Sequence, residues 1–185
     1  MAMEQDDLEI DDILSAKKPQ KKINSSVKGK VNEREVVKIL NKRFSKILSE
    51  NPSWGLFSRT MGSGNRFSQV ALSYNAKQIF SSDISCPPSF KFTIESKAGY
   101  DIDLCSAFSG SKEIDSFLKQ ATEDGEKSNK MPMVLWKKNR RPRLAFIHSK
   151  VAPNLPTYHM IYREWIAMSF EDLLIESDDF FFEKK

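Results

Sequence analysis

The chain has 185 residues, which is long enough for one domain with a substantial hydrophobic core. Its net charge of +4 and its isoelectric point of about 9.0 favour an anionic partner without identifying one. No apolar run reaches membrane-spanning length and no signal-peptide pattern is present, so we expect an intracellular protein that contacts no membrane. The two cysteines, Cys86 and Cys105, lack the C-x-x-C spacing of zinc sites, which argues against a zinc centre.

Residues 1–27 are predicted to form a disordered tail ahead of a single domain over residues 28–185. Acidic residues dominate the first half of the tail and lysines dominate the second half, and neither half contains an aromatic residue. The lysine-rich half would either follow a DNA backbone or serve as a solvated linker. Within the domain, we place the core at 28–150 and a C-terminal extension at 151–185.

A helix is predicted over about 32–49, because its apolar residues recur at helical spacing and form one stripe. Glu33 falls within that stripe, one turn before Val37, whereas Glu35 falls on the opposite, solvent-facing side. A carboxylate on a buried face is unfavourable unless a cation lies nearby. Glu33 is therefore either part of a site with a metal ion or a lysine, or a first-turn residue at a fraying helix end.

The segment from Arg59 to Arg66 is a loop in which Ser63 lies between two glycines. The backbone N–H groups of such a loop can approach a phosphate, and the two flanking arginines add positive charge. The alternative interpretation is an ordinary polar connection. A strand near 54–58 is expected to lead into this loop.

The most informative segment is the strand predicted over 90–97, in which apolar and polar residues alternate. Glu95 and Lys97 leave the same face of this strand. The turn signal Pro87–Pro88 predicts a hairpin-like return that brings Asp83 beside Glu95. Two carboxylates and a lysine at one sheet edge are typical of a magnesium-dependent phosphodiesterase. In such a site the carboxylates hold the ion, and the lysine orients a water or stabilises charge on phosphorus.

The remaining elements complete a mixed sheet flanked by helices. A helix is predicted at 112–124, capped by Ser111 and stopped near Gly125. A last short helix begins at a capping box on Ser169. Further strands are predicted near 79–85, 133–137, 143–147 and 158–168.

Three further features each allow two interpretations. Gln120 either faces the site or is an ordinary surface residue. The basic turn that follows Trp136 is a candidate phosphate contact, whereas Trp136 itself is expected in the core. The segment Phe180–Phe182 is either packed on the domain or exposed for a partner, and we expect packing.

The order of these residues resembles the PD-(D/E)xK nuclease superfamily, and within it the archaeal-type Holliday junction resolvases and their phage-borne relatives. The likeness runs from about Lys28 to Ile147. Ser82 stands where the superfamily has a proline, the segment between Asn65 and Ser82 is long, and nothing aligns beyond Lys150. The residues that carry the likeness are Glu33, Arg59, Gly62, Ser63, Asp83, Glu95 and Lys97.

The resemblance implies an α/β fold of the restriction-endonuclease-like type, with Mg²⁺ as the cofactor and Mn²⁺ as a substitute. It implies that Glu33, Asp83 and Glu95 bind the divalent metal. It also implies that Lys97 assists catalysis and that Ser63 lies in a loop that contributes to cleavage. The residues that we expect to contact DNA are Lys28, Lys30, Arg59, Arg66 and Gln120.

The predicted function is metal-dependent cleavage of four-way DNA junctions by a homodimer, because a two-fold symmetric junction needs two cuts. One alternative is a restriction-type or end-processing nuclease on the same fold. Another is a DNA-binding module with a vestigial site, against which the complete set of three carboxylates and a lysine argues. Sequence does not separate the first two, since a fold does not determine its substrate.

Overall fold

The computed structural model describes residues 25–60, 82–102, 109–151 and 159–183. No helix in these ranges is both long and apolar enough to cross a bilayer. The helices are α1 (Ser25–Arg43), α2 (Ser45–Glu50), α3 (Lys112–Ser128), α4 (Phe170–Leu173) and α5 (Asp178–Phe181), with 3₁₀ turns at Pro52–Trp54 and Ser149–Val151. The strands are β1 (Ser58–Arg59), β2 (Ile84–Ser85), β3 (Phe92–Ala98), β4 (Met131–Lys137), β5 (Arg143–His148), β6 (His159–Tyr162) and β7 (Trp165–Ser169).

These seven strands form one mixed sheet in the order β1-β2-β3-β4-β5-β7-β6. β3 and β4 run parallel, from Phe92 opposite Met131 to Ala98 opposite Lys137. The other neighbouring pairs are antiparallel. Parallel neighbours require a crossover connection, and here it contains α3. The predicted α/β fold with a mixed sheet flanked by helices is confirmed.

Helices cover both faces of the sheet, so the core has two layers. One layer packs α1 and the C-terminal helices on the sheet, and the other packs α3 on the opposite face. β3 is consequently buried on both faces, and even the polar residues Thr93 and Glu95 are only 3% and 2% exposed. The alternation in the sequence correctly indicates which residues of β3 share a face. It does not reveal that the polar face is covered.

Helix α1 is longer than predicted at its start. It begins at Ser25, inside the segment predicted to be a tail. Near its other end, Asn41 anchors the chain that leads to β1: its Nδ2 donates to the Phe57 carbonyl at 2.9 Å, and the Phe57 N–H donates to Asn41 Oδ1 at 3.0 Å. The helix is interrupted at Phe44, and α2 then ends at Glu50, close to the predicted end.

The segment Phe180–Phe182 packs into the core, as expected. Phe181 and Phe182 are 1% and 2% exposed, and their ring centroids lie 4.9 and 5.1 Å from that of Phe44. Arg43 anchors the turn before them, because its Nη1 donates to Asp178 Oδ1 at 2.8 Å. The described part of the C-terminal extension therefore belongs to the same sheet and core as the rest of the domain.

The helix predicted to stop near Gly125 continues to Ser128, and its cap residue Asn129 has a φ of 51°. Gly125 is buried within the helix, where a Cβ would lie only 2.8 Å from the Lys130 carbonyl oxygen. The predicted stop is wrong, because glycine is needed here to let the returning chain pack closely against the helix. The predicted cap at the other end is confirmed, since Ser111 Oγ accepts from the Ile114 N–H at 3.4 Å.

The single strand predicted over 158–168 is wrong. It consists of the two strands β6 and β7, joined by a turn at Arg163 and Glu164. Arg163 adopts a φ of 54° there. The turn contains no glycine, proline or asparagine, so the usual sequence signal is missing.

The strand predicted near 54–58 is reduced to β1, because a 3₁₀ turn forms at Pro52–Trp54 and Gly55 follows it with a φ of 72°. Of the strand predicted near 79–85, residues 82–85 are described, and only Ile84–Ser85 form a strand, β2. The strands predicted at 133–137 and 143–147 are confirmed as β4 and β5. The helix start predicted at Ser169 is also confirmed, because Ser169 is the N-cap and its Oγ accepts from the Asp172 N–H at 3.4 Å.

We expect Phe181→Ala to lower the free energy of unfolding by about 3–5 kcal/mol, because the ring packs against Phe44 and Phe90 in the core. The control Ile175→Ala alters a residue that is 81% exposed, and its effect should stay within about 0.5 kcal/mol. Urea denaturation followed by circular dichroism measures both. Equal effects would contradict a structural role for the C-terminal phenylalanines.

Candidate active site

The antiparallel pairing of β2 with β3 brings two carboxylates together. Ile84 pairs with Ile94, so Asp83, one residue earlier, lies opposite Glu95, one residue later. The Ser96 N–H donates to Asp83 Oδ2 at 3.0 Å, which fixes this carboxylate against β3. The hairpin-like return predicted from the sequence is confirmed.

Lys97 and Gln120 contact the Glu95 carboxylate from two directions. Lys97 Nζ donates to Glu95 Oε1 at 2.6 Å, and Gln120 Nε2 donates to the same oxygen at 2.7 Å. Lys97 Nζ also donates to Gln120 Oε1 at 2.8 Å, so the three side chains form a closed ring of hydrogen bonds. Phe117, one turn before Gln120 on α3, places its ring centroid 5.5 Å from Lys97 Nζ. The structure therefore places Gln120 in the site and not on an unrelated surface.

The carboxylate pair is electrostatically unfavourable without a further cation. Burial is the main cause that raises the pKa of Glu95 to about 8, and the negative charge of Asp83 is the second. Burial also raises the pKa of Asp83, against the opposing effects of the Ser96 N–H and the Lys97 charge. A divalent cation would offset this penalty, because hard cations prefer carboxylate oxygens as ligands. The donor set of Asp83 and Glu95 therefore fits Mg²⁺ or Mn²⁺.

Glu33 lies beside this pair, on the buried side of α1. It is 7% exposed, and Arg59 Nε donates to its Oε2 at 2.5 Å. Its charge also contributes to the raised pKa of Asp83. Across the four described ranges, no group of three or more Asp, Glu, His or Cys residues is arranged to hold a metal ion. The structure brings Asp83 and Glu95 together and pairs Glu33 with Arg59, so the role of Glu33 as a metal ligand stays a prediction.

A buried polar chain behind the site was not predicted from the sequence. Arg143, 2% exposed at the start of β5, donates from Nη2 to Asn32 Oδ1 at 2.8 Å. Asn32 Nδ2 donates in turn to Ser96 Oγ at 2.7 Å, on the residue whose N–H holds Asp83. The one signal in the sequence is Asn32 itself, a polar residue four positions before Val36 in the apolar stripe.

Glu35 faces solvent as predicted, with a side chain that is 55% exposed, but it is not free. Its Oε2 accepts from Arg143 Nη2 at 3.2 Å. The Arg143 Nε is buried without a hydrogen-bond partner among the described residues. Glu35 therefore balances the charge of a guanidinium that is otherwise poorly compensated.

The remaining predicted site residues are distributed as follows. Ser63 and Arg66 lie outside the described residues. Lys28 and Lys30 lie near the start of α1, where Lys28 is half-buried and Lys30 is exposed. Their contact with DNA stays a prediction, as does that of Gln120.

The mixed sheet with helices on both faces is a restriction-endonuclease-like α/β fold, and its neighbouring β2 and β3 segments bring a buried carboxylate pair beside a lysine. The chain belongs to the family described as Phage putative PDDEXK endonuclease, whose model matches residues 24–180. The predicted PD-(D/E)xK membership and nuclease class are confirmed, and the match extends past Lys150. Comparisons with curated proteins and with solved structures give no match.

The metal-free protein should lose stability as pH rises from about 4.5, the ordinary pKa of a glutamate, to about 8, the raised pKa of Glu95. The folded state favours the protonated carboxyl, so its contribution to stability is present at low pH and lost across this window. Thermal melts in chelator at a series of pH values measure this effect.

Glu95→Gln keeps the side-chain shape and the Oε1 acceptor but replaces the ionisable carboxyl with a neutral amide. The variant should therefore melt at a higher temperature than the parent protein at pH 8 and show a weaker pH dependence. Added Mg²⁺ should raise the melting temperature of the parent protein at pH 8 and not that of the variant. An identical pH dependence in both proteins would contradict the electrostatic description of the site.

Proposed function

We propose that this protein is a divalent-metal-dependent DNA endonuclease. Asp83, Glu95 and Lys97 form the active site in which it hydrolyses phosphodiester bonds. The observation that carries the proposal is the buried carboxylate pair with the Lys97 ammonium 2.6 Å from Glu95. Such a pair weakens the fold, since burial disfavours the charge on both carboxylates. A buried carboxyl pair with raised pKa values beside a specific charge partner is a candidate functional site.

Asp83 and Glu95 are the residues that would hold the metal, with Glu33 as a third ligand once Arg59 releases it. Mg²⁺ is the proposed ion, and Mn²⁺ should substitute because carboxylate ligands suit both. The bound ion would polarise the phosphate and lower the pKa of a bound water.

Lys97 is proposed to stabilise the negative charge that develops on the phosphoryl oxygens. Hydrolysis forms a bond between a water oxygen and phosphorus and breaks one P–O ester bond, after which the leaving oxygen takes a proton. The Lys97 side chain is 15% exposed, so its ammonium can meet a phosphate at the surface of the site. Gln120 acts as a positioning residue, because its amide contacts both Lys97 and Glu95 and keeps the ammonium oriented before substrate arrives.

The finer proposal is that the substrate is a four-way DNA junction and that the active form is an intracellular homodimer. A symmetric dimer supplies two sites for the two cuts that a junction needs. The order of the site residues, which resembles that of junction resolvases, supports this substrate. Selectivity would come from DNA shape and backbone contacts, which position a protein without reading bases. The proposed DNA contacts are Lys28, Lys30, Arg59, Arg66 and Gln120.

Asp83→Asn, Glu95→Gln and Lys97→Ala should each slow DNA cleavage by about 10²-fold or more, because each removes a charge that acts on the transition state or its metal. Cleavage should require Mg²⁺ or Mn²⁺ and stop in chelator. Single-turnover assays on labelled DNA measure the rate, and anisotropy measures binding, which should persist in all three variants. Full activity in Glu95→Gln would overturn the proposed function.

A matched pair on α1 tests the third carboxylate. Glu33 is 7% exposed and lies beside Asp83, whereas the Glu35 side chain is 55% exposed and contacts Arg143. Glu33→Gln should therefore impair cleavage far more than Glu35→Gln in the same single-turnover assay. Equal cleavage rates in the two variants would show that Glu33 is not part of the active site.

A substrate panel tests the junction proposal. The protein should bind a four-way junction at least about tenfold more tightly than linear duplex of equal length, a difference of about 1.4 kcal/mol. It should also introduce two symmetric nicks and sediment as a dimer in analytical ultracentrifugation. Equal cutting of linear duplex at a fixed sequence would indicate a restriction-type enzyme, and preferential cutting at free ends would indicate an end-processing enzyme. A monomer with and without DNA would contradict junction resolution.

A further inference from the structure

A basic groove of about 270 Å³ lies beside the candidate active site. One wall comes from the first turns of α1 and the other from the turn between β4 and β5, with the end of β3 between them. The lining residues that matter here are Lys28, Asn32, Gly99, Lys137, Asn139 and Arg140.

Three cations line this groove, and none of them is neutralised within the described part of the chain. Lys28, Lys137 and Arg140 form no ion pair there, whereas the adjacent Lys138 pairs with Asp101 at 2.7 Å. The groove's one carboxylate, Glu35, accepts from the buried Arg143. The positive charge of the groove is therefore available to an anionic ligand.

The backbone leaves the floor of the groove open. Gly99 has a φ of 82°, and its N–H donates to the Lys137 carbonyl at 3.2 Å, which joins the end of β3 to β4. A Cβ on Gly99 would lie 3.6 Å from Lys28 Cδ, so a side chain here would fill the space beside that lysine. Glycine thus permits a close approach to the backbone.

The turn that carries Arg140 is held in a defined shape. The Arg141 N–H donates to the Lys138 carbonyl at 3.2 Å and closes the turn. Arg140 adopts a φ of 58°, which is unusual for a residue with a side chain. The closed turn therefore places Arg140 in the middle of the β4–β5 connection.

The groove adjoins the candidate active site along two segments of the chain, β3 and α1. Gly99 follows Lys97 by two residues on an extended chain, a distance of ~7 Å, and Asn32 precedes Glu33 on α1. A strand whose scissile phosphate is at Lys97 would therefore place a neighbouring phosphate near this groove.

We propose that the groove binds the sugar–phosphate backbone of the cleaved DNA strand and sets its register on the active site. The inference rests on the proposed nuclease function and adds Lys137 and Arg140 to its DNA contacts. Unpaired cations contributed by two separate segments of the chain suit an extended polyanion better than a single small anion.

The test replaces all three cations, as Lys28→Ala, Lys137→Ala and Arg140→Gly together. The control replaces three exposed cations outside the groove, as Lys38→Ala, Lys42→Ala and Lys46→Ala, and so changes the net charge equally. Binding of labelled duplex and four-way junction is measured by anisotropy in chelator over a range of salt concentrations. The groove variant should lose affinity at least about tenfold, and the slope of log K against log salt should fall by ~0.9 for each lost phosphate contact.

Cleavage kinetics separate binding from chemistry. The groove variant should show a higher KM with a much smaller change in kcat, since its residues lie beside the reacting atoms and not on them. The single variant Arg140→Gly controls for misfolding of the triple variant. Glycine accepts a φ of 58° without strain, so this substitution should not lower the melting temperature. This single variant should still weaken binding.

The outcomes distinguish failure of the groove from failure of the proposed function. If the parent protein binds and cleaves DNA while the groove and control variants match it in affinity and salt slope, the groove inference is wrong and the function stands. A protein that binds DNA through the groove but cleaves nothing with Mg²⁺ would keep the inference and overturn the function. Equal losses of DNA affinity in the groove and control variants would show that DNA is bound by general charge attraction, and the groove inference would be wrong.

Discussion

Burial of the Asp83–Glu95 carboxylate pair is the constraint on which the rest of the site depends. Glu95 is 2% exposed because helices cover both faces of β3, and a desolvated carboxylate can be charged only where other groups compensate for lost water. The raised pKa values of both carboxyls show that this compensation is incomplete, and it comes from Lys97, Gln120 and the Ser96 N–H. They come from the strand, from the helix above it and from the backbone, so the site exists only when the sheet and its helical cover are assembled.

Helix α1 couples the stability of the domain to the arrangement of the site. Its second half packs Val36 and Leu40 into the core, and its first half contributes Asn32 and Glu33 to the polar network. The same helix contributes one wall of the basic groove. A shift of α1 on the sheet would therefore alter the core, the polar network and the groove together, because these contacts lie on one rigid element.

Prediction from the sequence succeeded where the pattern is local. It failed where a contact between residues far apart in the chain determines the local structure. The alternation in β3 and the apolar stripe of α1 are short-range patterns, and both were predicted. Gly125 was misread as a helix stop because its close neighbour, the Lys130 carbonyl, becomes visible only when the chain returns. The turn at Arg163 was missed because residues without turn preference form it under the constraint of the β6–β7 pairing.

The sequence by itself determined that Glu95 and Lys97 share one face of a strand, that Asp83 returns beside them and that Glu33 lies on the buried side of a helix. Strand and helix periodicity fix which face a residue occupies, and the turn signal Pro87–Pro88 predicts the return of Asp83, so these conclusions needed no tertiary information. Only the tertiary structure decided that Gln120 bridges Glu95 and Lys97 and that Arg143 supports Asp83 through Asn32. These partners are far apart in the chain, and side-chain hydrogen bonds between distant segments depend on packing that no local preference encodes.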